Sequence, residues 1–191
     1  EEADLTKSLV HPYVPRFPRH VSYDLVLFGS WRRKGVYVGE KQIASPGSYP
    51  VAGFNFAPMY NLNYKLRFGV SLDGVYDGSA NVYTEDALVE YDAGSGSSRR
   101  KFLVPGIQNQ LALGLSGRAE YVMPFFTIGV GLGTNVLGRG DLRGLYQVFA
   151  LKINVTRSSF LHIGYNLQDF QTPNYLMLGL GFRFNNKYPK V

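Results

Sequence analysis

The chain has 191 residues, a length typical of a single domain, and 45% of its residues are hydrophobic and 15% aromatic. It contains no cysteine, which excludes a disulfide framework and a thiolate metal site. The formal net charge of +6 would suit an anionic partner, but no recognition-helix pattern follows the basic clusters, so we expect no nucleic-acid partner.

The N-terminal segment has a composition unlike that of the rest of the chain. VHPYVPRFPRH (10–20) is rich in proline and cannot form a regular helix or a central strand. The first eight residues, EEADLTKS, lack the basic and apolar regions of a signal peptide, so either the protein is cytosolic or, as the pattern of the interior segments favours, such a peptide has already been removed. We predict a Pro-containing segment over 1–20, followed by one β domain over 21–187.

From residue 21 onward, apolar and polar residues alternate with period 2, which places successive side chains on opposite faces of a strand. Eight segments show this alternation: 21–31, 51–63, 64–77, 108–122, 126–134, 146–155, 159–167 and 175–184. Short joints alternate with longer connections between these segments. This order predicts an antiparallel up-and-down meander, which loses its edge strands when it closes into a barrel.

The two faces of these strands differ in bulk. Leu and Phe crowd one face, whereas glycine and charged residues occupy the other. The interior of an eight-stranded barrel is just wide enough for side chains to fill it, so Leu and Phe from every strand would overfill it. We therefore predict an eight-stranded transmembrane β-barrel of the outer membrane, all-β, with its apolar face toward lipid and periplasmic termini. The alternative is a soluble lipocalin-like carrier, which needs an apolar interior with space for a ligand.

Charged residues on the predicted inner face need partners there, because an unpaired buried charge is costly. We predict a polar network in the lumen formed by Asp24, Lys65, Arg67, Asp73, Arg118, Glu120, Lys152 and Arg183. No cofactor or metal site is expected. The acidic residues of the connection 78–102 could bind a divalent ion through Glu85, Asp86, Glu90 and Asp92, but they lack the ordered spacing of a calcium loop, which favours a solvated external loop.

One histidine lies inside a strand, in FLHIGYN (160–166). His162 shares a face with Gly164 and Asn166, opposite apolar Leu161 and Ile163. It is either a general base beside a nucleophile or a histidine held in the polar lumen. The abundance of unspecialised polar residues on that face favours the second interpretation.

The segments PFFTIGVGLGTN (124–135), QVFALKINV (147–155) and FLHIGYNLQDFQTPNYLMLGLGFRF (160–184) resemble the C-terminal half of the PagL-type lipid A deacylases. They also resemble Bacteroidetes sequences labelled acyloxyacyl hydrolases. The resemblance implies an eight-stranded outer-membrane barrel that meets membrane lipid or lipopolysaccharide, with a possible protein partner in that membrane.

In that family a His-x-Ser-Asn motif supplies the base, the nucleophile and an oxyanion donor, and an acidic residue orients the histidine. His162 matches the family histidine, but Gly164 stands at the serine position and Asn166 is displaced by one. Asn174 and Asp169 are distant substitutes for the acid. The resemblance therefore implies a non-catalytic, lipid-interacting or accessory barrel, or alternatively an active lipid A 3-O-deacylase-like esterase that uses His162.

Overall fold

The computed structural model describes residues 16–33, 35–38, 41–44, 48–92, 97–103, 105–170 and 172–188. Within these ranges, only the backbone is described for 35–38, 41–44, 83–92, 97–103, 141 and 172–174. The described part of the chain contains no helix that is both long and apolar enough to cross a membrane.

Eight antiparallel strands close into a barrel in the order β1-β12-β11-β10-β9-β8-β5-β4. They are β1 (His20–Arg32), β4 (Tyr49–Asn61), β5 (Leu66–Asp77), β8 (Leu111–Val122), β9 (Phe126–Leu137), β10 (Leu145–Asn154), β11 (Ser159–Gln168) and β12 (Thr172–Phe184). Each barrel strand follows its neighbour in the chain, and β1 pairs with β12 to close the circle. The predicted all-β, eight-stranded antiparallel fold is confirmed.

The long connections are more regular than the sequence pattern indicated. β2 (Gly35–Val38) pairs with β3 (Lys41–Ala44) above β1 and β4, and β6 (Tyr83–Asp92) pairs with β7 (Ser97–Leu103) between β5 and β8. The connection over 78–102, which was expected to be a solvated external loop, consists largely of a two-stranded hairpin. The side chains of Glu85, Asp86, Glu90 and Asp92 lie outside the described residues.

The outward face of the barrel is apolar. Leu115, Leu132 and Leu178 are each about half exposed, whereas Arg67 is 1% and Glu120 6% exposed. Each barrel strand has 10 to 13 residues, which matches the 9 to 11 that a tilted strand needs to cross the hydrocarbon. The structure thus has the inverted polarity of an outer-membrane barrel and not that of the soluble carrier.

The lumen is filled by side chains of two kinds. Its end nearer the tight turns holds the charged residues, whereas its end nearer the long loops holds a packed apolar cluster: Phe28, Val51, Tyr146, Val148, Ala150, Tyr175 and Met177. The expectation of a uniformly small and polar interior was therefore incomplete. Glycines make room for the larger groups, since a Cβ at residue 181 would lie 2.1 Å from the ring of Phe160.

The tight turns, the start of β1 and the end of β12 lie at one rim, where an aromatic cluster gathers. Phe17, from the segment before β1, packs edge-on against Tyr64 and Tyr188, with ring centroids 4.8 and 5.1 Å away. The last residues of the Pro-containing segment therefore contact this rim, which is the periplasmic one by the loop-length rule for such barrels. Residues 1–15, which carry most of that predicted segment, lie outside the described residues.

We predict that Leu178→Arg weakens the barrel by about 2 to 4 kcal/mol, since it places a charge on the lipid face near the middle of β12. Urea titration of the protein folded into phospholipid vesicles measures this cost. The control is Phe125→Arg, because Phe125 is 78% exposed in a tight turn outside the strands. Equal midpoints for the two variants would contradict the assignment of the outward face to hydrocarbon.

Candidate functional site

The charged half of the lumen is organised around Asp24 on β1. Its carboxylate accepts hydrogen bonds from Arg67, from Lys152 Nζ at 2.8 Å and from Arg183 Nε at 2.9 Å. These cations come from β5, β10 and β12, so one carboxylate links four strands across the barrel. All four side chains are at most 7% exposed, where a charge is tolerated only with such partners.

Glu120 on β8 is the second carboxylate of this network. It accepts from Arg67 Nε at 2.6 Å and pairs with Lys152 Nζ at 2.6 Å. Three cations thus meet two carboxylates, which leaves one excess positive charge among the described side chains of this cluster. Phe160 helps to stabilise this charge by cation–π interactions. Its ring centroid lies 5.0 Å from Lys152 Nζ and 5.2 Å from Arg183 Cζ.

Asp73 on β5 is the centre of a second polar cluster, nearer the long loops. Arg118 Nη2 donates to it at 2.8 Å, and Tyr146 Oη donates at 2.6 Å. Three more neutral donors also bond its oxygens, namely Asn55, Ser71 and Ser116. A carboxylate with one cation and this many donors is a structural junction with no lone pair free for chemistry.

The structure brings seven of the eight residues of the predicted lumen network into these two clusters. Lys65 is the exception: it is exposed in the tight turn before β5, and its side chain lines a cavity of about 420 Å³ at the periplasmic rim. The prediction was wrong there because β5 begins at Leu66, two residues later than the alternation suggested.

Sequence reasoning missed the neutral donors around Asp73. Ser71 and Ser116 stood on the correct face, but a serine carries no charge that demands a partner. Tyr146 and Asn55 also lie at inward positions of their strands, but neither carries a charge that demands a partner. Their positions in the sequence were the signal that could have found them. Each lies an even number of residues from an inward-facing charged residue or glycine on the same strand, so it faces inward too.

His162 on β11 points into the lumen and is 2% exposed. It borders a cavity of about 10 Å³ together with Asp24, Ser71, Glu120 and Lys152. Neither ring nitrogen has a hydrogen-bond partner among the described residues. Ser71, the hydroxyl on that cavity, donates to Asp73 at 2.5 Å. Among the described residues, therefore, neither an activated nucleophile nor an orienting carboxylate is in place at this histidine.

Asn166 faces the same way as His162 but lies four residues farther along β11, which is about 13 Å on an extended strand. It is 5% exposed and borders a different cavity, of about 30 Å³, between Tyr146 and Tyr175. The structure thus separates the two predicted catalytic residues. A bulge between Asn166 and Leu167 also shifts the register there.

Gly164 lies between them, at the position of the family serine. A Cβ there would lie 2.7 Å from His162 Nε2 and 2.6 Å from the terminal methyl of Met177. A serine at this position therefore requires the Met177 methyl and the His162 ring to shift. Of the two distant substitutes for the family acid, Asp169 is exposed in the turn after β11, and the side chain of Asn174 lies outside the described residues. Among the side chains described, no group of three or more His, Cys, Asp or Glu residues could hold a metal ion.

A family profile described as "Acyloxyacyl hydrolase, C-terminal domain", of the PagL type, matches residues 21–186. The chain belongs to this PagL family. The match spans the whole barrel, whereas the resemblance read from the sequence covered about half of the chain. As a member of the PagL family the chain is an outer-membrane barrel, in agreement with its outward apolar face.

Two crystal structures of Ail, the attachment invasion locus protein of Yersinia pestis, are similar to this PagL-family barrel. The complex of Ail with the heparin analogue sucrose octasulfate is 15% identical, covers 88% of this chain and 100% of that chain, and has a TM-score of 0.44. The other is 16% identical, covers 86% and 98%, and has a TM-score of 0.43. No curated protein sequence matches the chain.

We predict that Asp24→Asn destabilises the barrel by about 3 to 5 kcal/mol, because three buried cations would then share one carboxylate. The readout is the temperature at which the folded band is lost on a heat-modifiability gel, together with the urea midpoint in vesicles. Asp169→Asn is the matched control: this residue is exposed and has φ +50°, which asparagine tolerates. A midpoint for Asp24→Asn that equals the control would contradict the central role of Asp24.

We predict that His162→Leu leaves the stability unchanged within about 1 kcal/mol or raises it, since it removes two buried polar atoms that lack partners. His20→Leu should cost about 1 to 3 kcal/mol, because His20 Nδ1 bonds Pro18 O at 2.7 Å and His20 Nε2 accepts from Lys187 N at 3.1 Å. The urea midpoints of the two variants, measured under the same conditions, test this prediction. A larger loss at His162 than at His20 would show that His162 has partners in the folded protein.

Proposed function

We propose that this PagL-family chain is a non-catalytic, lipid-interacting or accessory barrel of the outer membrane. The observation that carries the proposal is the position of His162, whose ring is 2% exposed and lies on the lumen side of β11. A lipid substrate lies on the other side of the barrel wall.

The wall on the lipid side of His162 supports the same proposal. The neighbouring residues on β11 that point outward are Leu161, Ile163 and Tyr165, each between 37% and 43% exposed. None offers a base or an activated nucleophile to an ester in the bilayer.

The lumen supports it as well, because the two cavities that His162 and Asn166 border measure about 10 and 30 Å³. Such volumes hold about one water molecule each and exclude an acyl chain.

The third observation that supports the proposal is that glycine, and not serine, stands at residue 164. Ester hydrolysis without a nucleophile must use bound water, and the loss of a triad member removes several orders of magnitude in rate. At this site two roles of the family triad have no residue, since Gly164 lacks a hydroxyl and His162 Nδ1 has no orienting acid.

One observation favours the alternative of an active lipid A 3-O-deacylase-like esterase: the matching family is described as a hydrolase. In that case His162 would have to act after a rearrangement that turns its ring toward lipid. The same assay tests both proposals.

We expect no change in the acyl chains of lipid A after incubation with the purified, folded protein in detergent micelles or vesicles, as measured by mass spectrometry. Wild type, His162→Ala and Gly164→Ser should all be inactive, because the serine restored at residue 164 still faces the lumen. A known lipid A deacylase serves as the positive control.

Release of a 3-hydroxyacyl chain by the wild type that is lost in His162→Ala would overturn the proposal in favour of the esterase. Activity gained by Gly164→Ser alone would show that substrate reaches the lumen, which would contradict the burial argument while explaining the inactivity of the natural chain.

A further inference from the structure

A groove of about 490 Å³ runs along the outward surface of strands β5, β8, β9 and β10. Its volume lies in the range of about 300 to 1,000 Å³ usual for small-molecule sites. The side chains around it are apolar and exposed toward the membrane: Phe68, Ala119, Val130, Leu132, Phe149 and Phe170.

The floor of the groove exists because two small residues face outward on β8. Gly117 and Ala119 stand where neighbouring outward positions carry leucine or tyrosine, as at Leu115 and Tyr121. A Cβ at residue 117 would meet nothing closer than Leu132 O at 4.0 Å. No packing constraint therefore requires glycine at this position, and the space it leaves is open to a ligand.

Two polar residues line this groove: Arg118, whose guanidinium donates to Asp73 in the lumen, and Gln147. Gln147 on β10 lies between the inward-facing Tyr146 and Val148, so it points outward, yet it is only 4% exposed. Phe170 N donates to Gln147 Oε1 at 2.9 Å, which fixes the orientation of the amide. Its Nε2 has no hydrogen-bond partner among the described residues.

A buried amide donor without an acceptor costs about 1 to 3 kcal/mol, so it is unusual on a lipid-facing strand. Bulk water does not reach it, and its protein neighbours in the groove are apolar. Since no described residue supplies the acceptor, a molecule seated in the groove is the source that the position of the groove in the membrane makes available.

The depth of Gln147 indicates which acceptor is present. It lies two residues from the end of β10 that leads to a long loop, about 7 Å along the strand. Long loops are extracellular in such barrels, so this depth is the region of the outer leaflet where acyl chains join their headgroups. The acceptors found there in quantity are the ester and amide carbonyls of lipids.

We propose that the groove binds one acyl chain of an outer-leaflet lipid, with the acyl carbonyl accepting a hydrogen bond from Gln147 Nε2. The chain lies over Gly117 and Ala119, against Leu132 and Phe149. This site is distinct from His162, which faces the lumen. A lipid bound there is a partner of defined stoichiometry, unlike the exchanging lipids around the rest of the barrel.

The inference rests on the lipid-interacting role proposed above and gives that role a location. The two can fail separately. Hydrolysis of lipid A would reject the non-catalytic proposal and leave the groove in place, whereas a groove that retains no lipid would leave the hydrolysis result unchanged.

The test measures, by native mass spectrometry, how much of each of two lipids the folded barrel retains. The barrel is first exchanged into dodecyl maltoside, a detergent that has no carbonyl. The probes are ester-linked phosphatidylethanolamine and its ether-linked analogue, which has the same chains and no carbonyl. We expect the wild type to retain one ester lipid and at least about fivefold less of the ether lipid. Gln147→Leu should retain both lipids equally weakly.

Gly117→Leu fills the groove and should lose retention of both lipids. Its matched control is Gly29→Leu on β1, across the barrel, where a Cβ also meets nothing closer than a backbone oxygen at 4.0 Å, Val51 O. This control should retain the ester lipid like the wild type. The heat-modifiable band on a gel verifies that each variant is folded.

Equal retention of ester and ether lipids by the wild type would overturn the role of Gln147. Retention unaffected by Gly117→Leu would overturn the groove as the site. Equal losses in folded Gly117→Leu and Gly29→Leu would show that retention depends on the whole lipid belt, which also contradicts the proposal.

Discussion

Asp24 is the carboxylate on which the charged half of the lumen depends. It accepts hydrogen bonds from Arg67, Lys152 and Arg183, which come from three different strands. In a closed barrel these contacts act across the interior, at right angles to the backbone ladder. A charge that loses its partner there cannot turn to water, because hydrocarbon surrounds the wall. Each interior charge therefore depends on the others being present. Through these contacts each of the four strands helps to hold the others in register.

The narrow bore is the second constraint. A barrel of eight strands has room for side chains and little else, so each large inward group requires a small one beside it. Gly181 faces Phe160, and a Cβ at Gly129 would lie 3.0 Å from the Glu120 side chain. This filling leaves only cavities the size of a water molecule around His162 and Asn166. Transport through the barrel and chemistry within it are both hindered by the same packing.

The proposed lipid-interacting role places function on the outer wall, where the lipid is. The family histidine is on the wrong side of β11 for an ester in the bilayer, and its strand offers only apolar groups to that side. Gln147 is in the reverse situation, since it is a polar residue on an otherwise apolar face beside a groove. The wall thus carries a buried amide beside this groove, near the end of β10 that leads to a long loop.

The sequence by itself determined the eight strands and the direction of their faces, because alternation with period 2 and the bulk of Leu and Phe admit one arrangement in a narrow barrel. It also placed His162 inward beside Gly164. Only the tertiary structure decided which inward charges meet, that Lys65 stays outside, and that His162 and Asn166 border separate cavities. Those contacts join strands distant in the chain, and their geometry depends on register and on where each strand begins, which periodicity leaves open by two residues at β5.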